Sequence, residues 1–309
     1  MKCLPTLTLL LVCAHLGHAQ DLRKVLRYGN SIRSYYVHLP PALASKKSLP
    51  LLILLHGGGG GALQALENYP LKPLADREGF ILVTPNGSGA LPRELLRTWN
   101  VGWGFGYAQR HRVDDVGFVR ALIGQLQKDY PVDSKRVYLT GLSNGAILCH
   151  YAGAANSDLI AGIAPVVGCA AGGETPKLTY PPLPEHPVNV IMFNGELDQH
   201  VPLQGGKQVL HTEKQARYVC SAQQSAQFWV KANGCQAEPK VEELPDKQAT
   251  RYTWSGGKQN TRVVLWILHN QGHAWPGGTS PRAVADQPSP LVKAHEILWQ
   301  FFNYDRHRG

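Results

Sequence analysis

Four segments of this chain carry residue types that together can run nucleophilic chemistry on a carbonyl. The first is Gly141-Leu142-Ser143-Asn144-Gly145, which follows the apolar run Val137-Tyr138-Leu139-Thr140 and precedes Ala146-Ile147-Leu148. A G-x-S-x-G pentapeptide alone is common by chance. Between a strand and a helix it forms the sharp turn that lifts a serine hydroxyl above a sheet, with the helix dipole aimed at developing negative charge. Ser143 is therefore the candidate nucleophile. Such a serine needs hydrogen-bond donors for the oxyanion. The amide of Asn144 offers one; the second falls at Gly57 or Gly58 in the run His56-Gly57-Gly58-Gly59-Gly60-Gly61, where the missing side chain lets a substrate approach the backbone. The rival reading, a phosphate loop, lacks the Gly-Lys-Ser/Thr that should follow it.

In hydrolases with this turn the acid and then the histidine follow the serine, each just after a core strand. The segment Asn194-Gly195-Glu196-Leu197-Asp198-Gln199-His200 offers Asp198 as the acid, with Glu196 as second candidate. Gly272-His273-Ala274-Trp275-Pro276 offers His273 as the general base. No other histidine combines the chain order, the strand end and a Gly-rich loop. His56 is expected to shape the oxyanion loop, His200 to sit at the surface or in the cleft, and His295 to lie in the last helix. Trp275 and Trp103 are candidates for the pocket wall, because aromatics on Gly-rich loops either pack the loop or stack on a substrate ring. Asp114 and Asp115 read as a helix cap rather than as acid or base. This set of residues calls for no metal and no organic cofactor.

These groups need a scaffold, and the hydrophobic pattern describes one. Continuous apolar runs at residues 51–55, 80–84, 136–140, 188–193 and 263–268 fit strands buried on both faces of a parallel sheet. Residues 25–28 and 32–38 flank Gly29-Asn30 as an edge hairpin. Val116, Val119, Leu122, Ile123 and Leu126 share one helical face, and residues 221–232 read as a further helix. A last helix is expected to be capped by Ser289, with Pro290 in its first turn and a stripe from Leu291 to Phe302. The alternation predicts an α/β fold, a doubly wound and mostly parallel sheet with helices on both faces. No repeat or linker interrupts it, so residues 20–309 are expected to form a single catalytic domain. The Gly- and Pro-rich stretch 168–187 is too short for a cap domain, which would leave the site open to large substrates.

The N-terminus has a different character. Lys2, the apolar stretch from Leu4 to Leu16 and Gly17-His18-Ala19 read as a secretory signal peptide over residues 1–19, cleaved near Ala19 and leaving no membrane anchor. The expected location is extracellular or periplasmic. Loss of Lys2 lowers the formal charge from +9 to +8. The bases are scattered, with Arg93/Arg97 and Arg110/Arg112 in loop sequence, and nothing accompanies them that would mark a nucleic-acid partner. Four cysteines remain, Cys149, Cys169, Cys220 and Cys235. In an oxidising compartment they suggest one or two disulfides of open pairing, except that a helix would hold Cys220 and Cys235 apart. Asn86-Gly87-Ser88 is a glycosylation sequon.

Gly141-Leu142-Ser143-Asn144-Gly145, Val113-Asp114-Asp115-Val116-Gly117-Phe118, the stretch from Gly195 to Pro202, and His273-Ala274-Trp275-Pro276-Gly277-Gly278 together resemble the secreted polyhydroxybutyrate depolymerase and feruloyl esterase group, which includes acetylxylan esterases. The resemblance covers nearly all of the chain after the signal. It implies a lidless α/β-hydrolase with Ser143, Asp198 and His273 as its triad. It further implies an ester substrate, feruloyl or acetyl groups on plant-wall polysaccharide, with polyhydroxyalkanoate depolymerisation as the alternative and a non-catalytic binding protein as a lesser one. One departure stands out: many relatives carry cysteines after the Trp-Asn pair, whereas Trp99-Asn100 here leads into Trp103-Gly104-Phe105-Gly106-Tyr107.

Overall fold

A computed structural model describes residues 19–91, 96–208, 217–279 and 286–303, so all but the last residue of the expected signal peptide lies outside the described residues. The chain opens with the expected hairpin, β1 (Gln20–Tyr28) and β2 (Ser31–Leu39), turning at Gly29-Asn30. Then come β3 (Leu49–Leu55), α1 (Ala62–Asn68), α2 (Leu71–Glu78), β4 (Ile81–Pro85), the short α3 (Gly106–Arg110), α4 (Asp115–Asp129), β5 (Val132–Leu142), α5 (Asn144–Ala155) and β6 (Gly162–Val166). The second half holds β7 (Gly172–Gly173), β8 (Asn189–Gly195), β9 (Gly206–Gln208), β10 (Arg217–Val219), α6 (Ala222–Asn233), β11 (Lys240–Glu243), β12 (Ala249–Trp254), β13 (Val263–Leu268) and α7 (Ala294–Asn303).

Ten strands form one sheet in the order β1-β2-β4-β3-β5-β6-β8-β13-β12-β11. The six from β4 to β13 pair in parallel, and the edges are antiparallel. Strand alternation explains why β3 is apolar throughout: Leu51, Ile53 and Leu55 join one core with α4, α5 and α6, while Leu52 and Leu54 join the other with α1, α2 and α7. Between β6 and β8 the chain makes a loop with only the two-residue β7, in place of a helical cap. That loop pairs through β10 with β9 in a three-stranded ribbon that the apolar pattern does not announce. No helix among the described residues is long and apolar enough to cross a membrane.

The local signals differ in accuracy. Asp114 caps α4, accepting the Gly117 amide at 2.8 Å, whereas Asp115 is buried and bonds the Arg33 guanidinium at 2.8 Å and the Asn100 amide at 2.7 Å. Ser221 and Gln224 form a reciprocal capping box on α6. The last helix is a correction: α7 starts at Ala294, and Leu291 is exposed. Ser289 is occupied elsewhere, its amide donating to Gln271 at 2.7 Å and its carbonyl accepting from Gly277 at 2.8 Å, so residues 286–293 form a strap before the helix begins. The sequon is a second correction. Asn86 is buried, with its amide nitrogen donating to Ser34 at 2.9 Å and its oxygen accepting from Ala62 at 2.8 Å, so that nitrogen is not presented for glycosylation.

Candidate active site

Parallel strands present their carboxyl ends to one rim, where ligands bind in open α/β sheets. Here the register aligns those ends. Leu55 of β3 lies opposite Gly141 of β5, and Gly195 of β8 opposite Leu268 of β13. The glycine run therefore emerges beside the serine turn, and the acid loop beside the histidine loop.

Ser143 sits at φ 55°, ψ −118°, a conformation that a non-glycine residue adopts only when its surroundings impose it. Those surroundings are backbone. The Ser143 amide donates to the Val166 carbonyl of β6 at 3.0 Å, and the Ser143 carbonyl accepts from Ile147 at 2.9 Å. A side chain on Gly145 would meet the carbonyl oxygens of Leu55 and His56 at 2.3 and 2.6 Å, which is why the motif needs its final glycine. Gly57 lies against Ser143, since a Cβ on it would stand 3.7 Å from the serine Cβ. A Cβ on Gly58 would collide with the Phe105 ring at 2.6 Å.

The glycine loop is oriented by His56, which is buried. His56 Nδ1 donates to the Gly57 carbonyl at 2.8 Å, and Nε2 accepts the Gly87 amide at 2.9 Å, which fixes the tautomer. The Gly57 carbonyl also accepts from the Gly60 amide at 3.0 Å. Because the Gly57–Gly58 peptide is planar and trans, holding its carbonyl on one side turns the Gly58 N–H to the other. Among the described residues the amides of Gly57 and Gly58 donate to no protein acceptor. Asn144 contributes more than an amide: its side-chain oxygen accepts the Trp99 N–H at 2.7 Å and its nitrogen donates to the Trp99 carbonyl at 3.1 Å. Trp99 Nε1 in turn donates to the His56 carbonyl at 2.8 Å.

On the other side of β6, Asp198 Oδ2 accepts His273 Nδ1 at 2.7 Å, with the carboxylate 1% exposed and the imidazole 14%. The second oxygen of Asp198 accepts the amides of His200 and Val201, both at 2.8 Å. Glu196, the second candidate acid, is half exposed and faces away, bonding His269 at 3.0 Å. The two loops are stitched together where Leu197 donates to the Gln271 carbonyl at 3.0 Å, and a side chain on Gly195 would strike that same carbonyl. Gln271, fully buried, shapes the histidine loop: its Nε2 donates to the Ala274 carbonyl at 3.1 Å and its Oε1 accepts from Ser289. Asp286 accepts the His273 amide. Neither Gln271 nor Asp286 carries a motif of its own, so sequence reading missed both.

Ser143, His273, Gly57, Gly58 and Asn144 line one cavity of about 420 Å³. Trp275 and Trp103 line it too. Trp275 is stacked on Tyr69 with centroids 4.6 Å apart, and Trp103 donates to the Tyr151 hydroxyl at 2.9 Å. Trp99 lies outside the lining, as a buried clamp. His200 takes the cleft position, its ring centred 4.8 Å from that of His273. Gln208, Arg217 and Val219, from the unforeseen ribbon, complete the wall.

Comparison with solved structures settles the architecture. An acetyl xylan esterase from Aspergillus awamori shares the fold with a TM-score of 0.62 at 15% identity, over 93% of this chain and 100% of that one. An S-formylglutathione hydrolase from Agrobacterium tumefaciens gives a TM-score of 0.51 at 10% identity, over 94% and 95% of the two chains. Residues 33–174 match the esterase PHB depolymerase family. The chain has the α/β-hydrolase fold and resembles the polyhydroxybutyrate depolymerase and feruloyl esterase group. The chain is 27% identical over 277 residues to a protein named as an esterase, NocK of Nocardia uniformis subsp. tsuyamanensis, covering 84% of this chain and 75% of that one. It is 29% identical over 247 residues to feruloyl esterase B of Piromyces equi, covering 78% here and 42% there. It therefore spans under half the length of that fungal relative.

Proposed function

We propose that the protein is an exported serine esterase that hydrolyses carboxylic esters through an acyl-enzyme, with feruloyl or acetyl groups of plant-wall polysaccharide as its substrates. In this reading Ser143 attacks the ester carbonyl, and His273 takes the hydroxyl proton on Nε2, the ring nitrogen not bonded to Asp198. Asp198 holds the imidazole in that tautomer and balances the imidazolium. The amides of Gly57 or Gly58 and of Asn144 receive the oxyanion. His273 then protonates the departing alcohol and activates the water that releases the acid. The apolar leader at residues 1–19 is taken as the export signal.

The observation that carries this reading is the hydrogen bond of 2.7 Å from His273 to the buried Asp198, with His273 lining the same cavity as a serine held at φ 55°. The substrate class is supported by the feruloyl esterase relatives and by the indoles of Trp103 and Trp275 in the cavity wall. A second reading, cleavage of 3-hydroxybutyrate esters, is favoured by the family matched at residues 33–174. Initial rates on methyl ferulate, an acetylated xylan oligosaccharide and a 3-hydroxybutyrate oligomer, with Ser143→Ala as blank, separate them. Ferulate or acetyl preference upholds the first reading and oligomer preference the second. Rates at the blank level on all three overturn both.

A further inference from the structure

Away from the proposed triad, two thiols meet in the core. Cys169 lies in the loop leaving β6, and Cys220 directly follows β10; both are buried. Ala171 joins them. Its carbonyl accepts the Cys220 amide at 2.9 Å and the Cys169 thiol at 3.5 Å, and its own amide donates to Cys220 Sγ at 3.2 Å. Cys220 Sγ also lies 3.1 Å from the Ser225 hydroxyl, and all four described cysteines are free thiols in this structure, so the expected disulfides are not formed in it. The other two cysteines among the described residues are placed elsewhere: Cys149 within α5, and Cys235 beyond the far end of α6, its thiol directed to the Thr261 carbonyl at 3.8 Å.

We propose that Cys169 and Cys220 are the site of a native disulfide that fastens the β9–β10 ribbon to the loop after β6 and so fixes one wall of the cavity. The ribbon needs such a tie. Its strands β9 and β10 have three residues each, and β10 reaches β7 through only two residue pairs, yet it carries Gln208, Arg217 and Val219 into the cavity wall. The loop at the other end of the link is rigid. Gly168 accepts from Asn194 at 3.1 Å, and the Val166 carbonyl just before it holds the Ser143 amide. A bond between Cys169 and Cys220 would also remove a chain closure of roughly fifty residues from the unfolded ensemble.

The oxidant is a disulfide of the glutathione or thiol-oxidoreductase class. One thiolate attacks it, forming a mixed disulfide and releasing one reduced thiol. The second thiolate then displaces the other half. One S–S bond forms in the protein and one breaks in the oxidant, whose two thiols take up the electron pair and both protons. Burial places this step during folding, before the ribbon closes over the sulfurs.

The proposal stands apart from the esterase reading, and its test needs no substrate. The reduced full chain is refolded in a buffer of reduced and oxidised glutathione, denatured, alkylated and mapped without reductant. The expected result is one linked peptide pair, Cys169 with Cys220, with Cys3, Cys13, Cys149 and Cys235 alkylated. Recovery of Cys169 and Cys220 as alkylated thiols, or linked to any of the other four, overturns the proposal. A Cys169→Ser/Cys220→Ser variant should melt on the order of 5–10 °C below oxidised wild type, a gap that shrinks when wild type is refolded with reductant. A gap undiminished by reductant would mean the pair contributes packing alone and also overturns the assignment.

Discussion

The serine side and the histidine side of the site are held by different means. At the ends of β3 and β5 the geometry is mostly main chain: Ser143 is forced to φ 55°, Gly145 is wedged against two carbonyls, and the Gly57 carbonyl is held by the Gly60 amide and the His56 imidazole. At the ends of β8 and β13 the geometry is mostly side chain: Asp198 is fixed by two amides, His273 by Asp198, and the loop around it by the amide of Gln271. Backbone constraints of the first kind demand glycines at fixed spacing. Hydrogen bonds of the second kind can be met by many sequences, provided each buried polar atom finds a partner.

Substitutions can break this contrast in order of expected size. Asp198→Asn should lower kcat/KM by about 10³–10⁴-fold, because the amide cannot hold the same histidine tautomer, while Glu196→Gln should change it by less than about twofold. Steady-state kinetics on whichever ester proves best decides it, and a larger loss for Glu196→Gln would reverse the assignment of the acid. His56→Phe and Gln271→Met then test the two supports directly. The first keeps a ring beside Trp99 but removes one of the two donors to the Gly57 carbonyl, and should cost roughly 10–100-fold in kcat with little change in KM. The second loosens a loop with other anchors and should cost less than about tenfold. Equal losses would erase the distinction between the halves.

The smallest effect concerns stability. His150, on the helix that follows Ser143, is fully buried, accepts from Trp229 at 2.9 Å through Nδ1, and leaves Nε2 with no partner among the described residues. Burial pushes its pKa down from 6.5 to about 3. The unfolded chain therefore binds a proton across that interval that the folded chain refuses. The stability is complete above pH 6.5 and lost progressively as pH falls toward 3. Between pH 7 and 5 wild type should lose a few degrees more in Tm than His150→Gln, corresponding to about 2 kcal/mol at pH 5. Parallel Tm profiles for the two proteins would show that His150 does not titrate this way.

The same contrast explains what could be read in the sequence. Ser143, Gly57 and Gly58 are legible because strained turns and close backbone approaches restrict residue type. The buried parallel strands are legible as unbroken apolar runs. The β6 strand, with Pro165 inside it, lacks that signature, and so does the β7–β10–β9 ribbon, whose members are two or three residues long and draw their stability from contacts distant in sequence. Ser289 carried a valid cap signal that lost to tertiary demand, since its backbone groups serve Gln271 and Gly277. Gln271 and Asp286 could be found only after folding, being ordinary polar residues in loops.

The grip of Asn144 on both backbone groups of Trp99 has a consequence for redesign and for divergence between relatives. The segment that carries Trp103 and Phe105 leaves from Trp99 and returns at Ala108, whose amide is anchored to the Thr98 hydroxyl at 3.1 Å. It is a cassette with both ends bolted beside the Ser143 turn. Exchanging residues 101–107 should reshape the cavity while Asn144 keeps its hold on Trp99, provided the graft refills the buried space of Trp103 against Gly172 and Tyr151.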